Sequence, residues 1–238
     1  MAIPNLIKAP FLDLFNLVFP VNCEYCGKNL KKGEETLCSF CEYRLPKTNY
    51  HLTPDNPVEA IFWGRIPLHS AASFLQYQKG EMVQQLIHQL KYHGKGHIGV
   101  FLGQLFGQHL MQSQRFSGIQ YILPVPLHRK KIKIRGYNQS EKIAEGLAMT
   151  MDAKKDSESL VRKVHSATQT KKSRYERWEN VKSIFTLNET AVSKLENTHI
   201  LLVDDVITTG ATIEGCYLQL ENIPNVTISV VSLACPLI

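Results

Sequence analysis

The sequence predicts an α/β domain, a parallel sheet flanked by helices, preceded by a small module held together by four cysteines. Two observations predict it. From residue 70 onward, apolar runs of strand length alternate with segments of helical period, which implies a parallel sheet with both faces covered. Ahead of that alternation, Cys23, Cys26, Cys38 and Cys41 form two Cys-x2-Cys pairs eleven residues apart.

The chain of 238 residues suits one good-sized domain with a small appendage. Its 44% hydrophobic and 20% charged residues are an ordinary globular mix, and long low-complexity tracts and internal repeats are absent. The net charge of +6 favours acidic partners: phosphates, nucleotides or nucleic acid. Met1 to Pro20 is apolar, but Lys8 and Asp13 interrupt it and no small-x-small cleavage site precedes Cys23. We expect neither a signal peptide nor a membrane span, and a cytoplasmic location. Leu6, Ile7, Leu14, Leu17 and Val18 instead suggest a short amphipathic helix.

In the cysteine module, a two-residue gap lets both thiolates of a pair reach one ion from a tight turn. Two such pairs complete a tetrahedral zinc shell. Disulfides are disfavoured in a cytoplasmic chain, and a single Cys-x2-Cys would suit redox chemistry better than two do. With four protein ligands the site is closed and structural. Lys28, Lys31 and Lys32 lie nearby and would suit nucleic acid, while docking on the rest of the chain would suit the module equally. Cys216 and Cys235, in apolar surroundings, read as core thiols. We take residues 1–50 as the helix and zinc module. Residues 51–66, with Pro54 and Pro57, read as a linker, and residues 67–238 as the α/β domain.

Within that domain Ser70 to Tyr77 reads as a strand. Glu81 to His93 is a helix with apolar residues at 82, 83, 86, 87 and 90, and Ile98 to Leu110 has the same character. Tyr121 to Val125 is a buried strand. Asn138 to Ala148 is a helix with Asn138 as N-cap and Glu141 three residues on. Ile184 to Leu187, His199 to Val203 and Val226 to Leu233 are further strands, with a helix from near Thr212 between the last two.

The most informative stretch runs from Ile200 to Thr212. An apolar strand ends in Asp204 and Asp205, and a loop of Thr208, Thr209, Gly210, Ala211 and Thr212 leads into a helix. Ligands of parallel sheets bind beyond the carboxyl ends of strands. The loop offers hydroxyls and backbone N–H groups, and the helix N-terminus favours an anion. Two adjacent carboxylates suit the vicinal diol of a ribose, so a ribose 5-phosphate fits both halves. A Walker B reading fails because the chain has no Gly-x4-Gly-Lys-Ser/Thr loop. A second stretch, Val125 through Gln139, is dense in Arg and Lys and reads as an anion-binding loop. A third, from Gln169 to Phe185, is polar and basic and suits a lid over a charged substrate.

Residues 201–212 resemble the phosphoribosyl pyrophosphate motif of type I phosphoribosyltransferases. Together with the four cysteines, Leu90-Lys91-Tyr92-x-Gly94 and the Val125–Gln139 stretch, the chain resembles the ComF family of competence proteins from Cys23 to Leu233. Thr208 stands where some relatives carry a third acid, and Lys172 stands where an apolar residue is usual. The resemblance implies a type I phosphoribosyltransferase-like fold in which Asp204 and Asp205 hold the ribose hydroxyls and residues 208–212 the 5-phosphate. Arg129 and Arg135 are candidates for the pyrophosphate. Lys91, at a helix end, is a further candidate whose ordinary role would be solvation. Magnesium would accompany phosphoribosyl pyrophosphate, a hard cation on oxygen ligands. If catalytic, the domain would transfer a phosphoribosyl group; no residue marks the acceptor. The alternative is an accessory protein on the same fold that binds single-stranded DNA or a competence helicase through its basic loops.

Overall fold

A computed structural model describes residues 20–163 and 184–236. The expected helix within residues 6–18 and most of the expected lid, residues 169–183 with Lys171 and Lys172, lie outside these. The chain divides into two compact units between Leu45 and Pro46. Among the described residues no helix is long and apolar enough to cross a membrane.

The first unit is a pair of cysteine turns. Gly27, at φ +72°, donates its N–H to Cys23 O at 2.9 Å and closes the first turn, in a conformation that favours glycine. Cys38 caps a short helix, α1 (Ser39–Tyr43), which carries Cys41. Glu34 ties the intervening loop together. Its carboxylate accepts the Lys31 N–H and both the N–H and hydroxyl of Ser39. The Lys31 amide, followed by Ser39, holds that carboxyl down at about 2.

The second unit is the predicted parallel sheet. Its strands β1 (Ser70–Tyr77), β2 (Tyr121–Pro124), β3 (Lys154–Lys155), β6 (His199–Val206) and β7 (Thr227–Pro236) lie in the order β1-β7-β6-β2-β3, and every pairing is parallel. The apolar run Ile200–Val203 is fully buried, as a central strand covered on both faces requires. Ile200 and Leu202 join a core with Ala191 and Leu195 of the short helix α7 (Ala191–Leu195) and with Ile213, Cys216 and Leu220 of helix α8 (Ala211–Leu220). Leu201 and Val203 point to the other face, where helix α6 (Gln139–Thr150) packs across β6 and β2. Helix α4 (Gly96–Leu110) in turn packs on α6, with backbones almost touching. A Cβ on Gly103 would sit 2.3 Å from Ile143 O. Helix α3 (Met82–Tyr92) buries Met82, Val83, Leu86, Ile87 and Leu90, the positions its period marked.

Three local expectations are corrected. Residues 51–66, read as a linker, are built into the second unit. Asn56 caps the short helix α2 (Pro57–Ala60) and donates to Ala71 O at 2.9 Å, while Val58, Phe62 and Ile66 enter the core. Pro57 here starts a helix, where its missing N–H costs nothing. Next, β5 (Phe185–Leu187) leaves the parallel sheet and pairs antiparallel with β4 (Leu160–Arg162) in a separate ribbon. Finally, Asn138 caps α6 through Ser140 N–H, but Glu141 turns outward to Lys155. Residues 46–48 run antiparallel along the free edge of β1, which shields it from foreign strands. Cys216 and Cys235 are fully buried, and burial pushes both thiols up.

Candidate functional site

β6 leaves Asp204 and Asp205 at its carboxyl end, on opposite faces of the strand. Asp204 Oδ1 accepts the Ser140 hydroxyl at 3.1 Å and the Asp205 N–H at 2.8 Å. Burial, then the neighbouring Asp205 charge, raises its carboxyl to about 7, against the pull of these donors and Lys91. Asp205 Oδ2 faces Lys91 Nζ at 2.8 Å, with both side chains largely buried. Lys91 is therefore an ion-pair partner at this site and not simply a solvated helix end.

After the acids the chain turns through Thr208 and Thr209, both exposed, to Gly210. Gly210 caps α8 at φ +75°. Ala211 and Thr212, in the first turn of α8, are also exposed. The loop thus presents two threonine hydroxyls and the uncapped amides of a ten-residue helix. The glycine is required on its hidden side. A Cβ there would lie 2.6 Å from Phe62 and 2.9 Å from Ile61.

The basic stretch after β2 forms a short helix, α5 (Arg129–Arg135), capped by the His128 ring and ended by Gly136 at φ +83°. None of its seven residues is buried. Asn138 then folds the chain back by donating to Val125 O at 2.9 Å. This segment meets the end of α3. Tyr137 Oη donates to Leu90 O at 2.6 Å, and the Arg135 guanidinium lies 5.1 Å over the Tyr92 ring. Lys91, Arg135 and Asp205 thereby gather around one end of the sheet, while Arg129 is exposed in the first turn of α5. A cavity of about 430 Å³ adjoins Asp205 and Thr208, walled by Tyr77, Gln84, His88 and Tyr92.

Two contributors carry no local signal. Ser140 is an unremarkable residue behind an N-cap until the fold brings it to Asp204. Arg65 lies in the stretch read as linker, yet it donates to Thr209 O at 2.6 Å.

In the first unit, the Sγ atoms of Cys23, Cys26, Cys38 and Cys41 lie within 4.8 Å of one another. A tetrahedral zinc–thiolate shell with bonds of about 2.3 Å needs sulfurs about 3.8 Å apart, and Cys26 and Cys38 are 3.7 Å apart. Burial opposes ionisation of Cys23, but amides of Cys26, Cys38 and Tyr25 outweigh it and bring that thiol down to about 7. Burial and the other three sulfurs push Cys41 up.

No protein-family model matches the chain. A Salmonella typhimurium protein described as DNA utilization protein YhgH is 34% identical over 219 residues, 87% of this chain and 93% of its own length. A Haemophilus influenzae protein described as competence protein F is 28% identical over 205 residues, 82% of this chain and 88% of its own. Among solved structures, the glutamine phosphoribosylpyrophosphate amidotransferase of B. subtilis, in complex with ADP and GMP, superposes with a TM-score of 0.41 at 15% identity. That match covers 60% of this chain and 30% of the amidotransferase.

Proposed function

Because the chain belongs to the ComF family, we propose that it serves DNA uptake or utilization and binds phosphoribosyl pyrophosphate at the carboxyl end of β6. The observation that carries this reading is the juxtaposition of two carboxylates with an anion-receptive loop on one strand end. Asp204 and Asp205 would accept hydrogen bonds from the ribose 2- and 3-hydroxyls. Residues 208–212 would hold the 5-phosphate with amides and hydroxyls at the N-terminus of α8. Arg135, with Arg129 and Lys91, would meet the pyrophosphate. The carboxylates and phosphate oxygens are the hard oxygen donors magnesium prefers, and when bound it would offset the diphosphate charge.

In a transferase, loss of pyrophosphate from C1 leaves a cation-like ribose, and catalysis rests on positioned charge. Asp205 is held close to Lys91, so diol binding must share or release that pair. Asp204, raised toward neutrality, is a hydrogen-bonding partner whose charge depends on pH. The four thiolates would hold a structural zinc ion.

The exposed basic helix α5 favours a second reading, in which the fold is a platform for single-stranded DNA or a helicase. Five of its seven residues are Arg or Lys, and Ile134 is 82% exposed. Two acids beside a phosphate loop are of no use to such a platform, so we rank it second.

Calorimetric titration of phosphoribosyl pyrophosphate, with and without magnesium, tests the proposal. Magnesium-dependent binding that disappears in Asp204→Asn/Asp205→Asn is the expected result. Equal affinity in that variant refutes the site, and binding of single-stranded DNA alone favours the platform.

A further inference from the structure

We infer that Arg65 is a positioning residue for the phosphate loop, acting through the Thr209–Gly210 peptide. This rests on the reading that residues 208–212 take the 5-phosphate. Arg65 follows α2 in the segment whose Ile61 and Phe62 close the hidden side of Gly210. Its Nη1 donates to Thr209 O at 2.6 Å and to Ile61 O at 3.1 Å, and its Nη2 pairs with the Glu214 carboxylate in the first turn of α8. One guanidinium therefore grips its own turn, the loop and the helix together.

The consequence follows from peptide geometry. No peptide of the described chain is cis. In a planar trans peptide the C=O and N–H point in opposite directions. Fixing Thr209 C=O on Arg65 turns the Gly210 N–H away from Arg65 and from the Ile61–Phe62 wall. The Ile61–Phe62 wall fills the space where a Gly210 Cβ would lie, and a Gly210 N–H turned away from that wall is open to an anion. Without the guanidinium the peptide is free to rotate, and its carbonyl oxygen would then face the anion. Arg65 also offsets Glu214. A carboxylate in the first turn suits a bare helix but repels a phosphate bound at the same N-terminus.

The test is calorimetric titration with ribose 5-phosphate at fixed salt, on the full chain and three variants. The Arg65 side chain is 34% exposed, so Arg65→Gln leaves the core untouched. We expect Arg65→Gln to bind at least tenfold more weakly and Arg65→Lys, which can still donate to Thr209 O, to stay within threefold. The double variant Arg65→Gln/Glu214→Gln should remain at least fivefold weakened, since removing the acid does not restore the peptide's anchor. Arg65→Gln binding as tightly as the parent, or full recovery in the double variant, overturns the positioning role. Failure of the parent chain itself to bind ribose 5-phosphate overturns the loop assignment along with it.

Discussion

Replacing Asp204 by Asn should stabilise the protein at neutral and alkaline pH while destroying the diol site. Burial and Asp205 raise the Asp204 carboxyl from 3.8 to about 7. At about 1.4 kcal/mol per pH unit, the charged form is penalised by about 4 kcal/mol at the limit. The side chain is half-buried, and solvent screens part of this, so we expect about 2 kcal/mol. The sign follows from proton counting. Between about pH 4 and pH 7 the folded chain keeps a proton that the unfolded chain has released, so stability falls as pH rises through that window and stays lowered above it. Asn cannot ionise, and its Oδ1 can still accept from Ser140 and the Asp205 N–H. The variant should therefore match the parent near pH 4 and exceed it by about 2 kcal/mol at pH 8, or about 4–8 °C in melting temperature. His51, His109 and His199, whose pKa values burial lowers, contribute the opposite trend at acid pH, but equally to both proteins. The assay is thermal unfolding by circular dichroism at pH 5 and pH 8 without ligand. A parent–variant difference independent of pH, or a variant less stable at pH 8, would refute the reasoning.

Binding of phosphoribosyl pyrophosphate should strengthen from pH 6 to pH 8 as Asp204 ionises, by up to about tenfold per pH unit below its pKa; a flat calorimetric profile counts against Asp204 as a diol acceptor. Gly210→Ala should cost at least about 1–3 kcal/mol through its positive φ, and more through the clash with Phe62, read as a lowered melting temperature. Metal analysis should find about one zinc per chain, lost to a strong chelator, with Cys38→Ser reducing occupancy at least tenfold. A folded, metal-free first unit would refute the zinc assignment.

Much of this protein could be read from sequence because the signals are local. The run Ile200–Val203 suits a doubly buried strand, since a central strand of a parallel sheet hides both alternating faces, and all four residues are buried. The adjacent acids and the threonine–glycine loop follow it in the chain, so their proximity needs no tertiary information. The cysteine pairs are of the same kind, because a two-residue gap within a turn brings each pair together. Asn138 announced its helix because capping uses an amide two residues away.

What sequence could not decide depends on residues far apart in the chain. Lys91 meets Asp205 only because α3 ends beside β6. Ser140 reaches Asp204 only because α6 starts there. Prolines at 54 and 57 looked like linker punctuation, but their neighbours Val58, Phe62 and Ile66 supply core, and apolar spacing over so short a stretch has no period to detect. The pairing of β5 with β4 was hidden for a related reason, since three residues carry no record of strand direction. Arg65 shows the limit most directly, because its partners are 144 and 149 residues away. The residue types and the strand that carries them are written locally. Which charge faces which carbonyl or carboxylate is set when the sheet closes and the helices settle on it, because only then do these groups come within hydrogen-bonding distance.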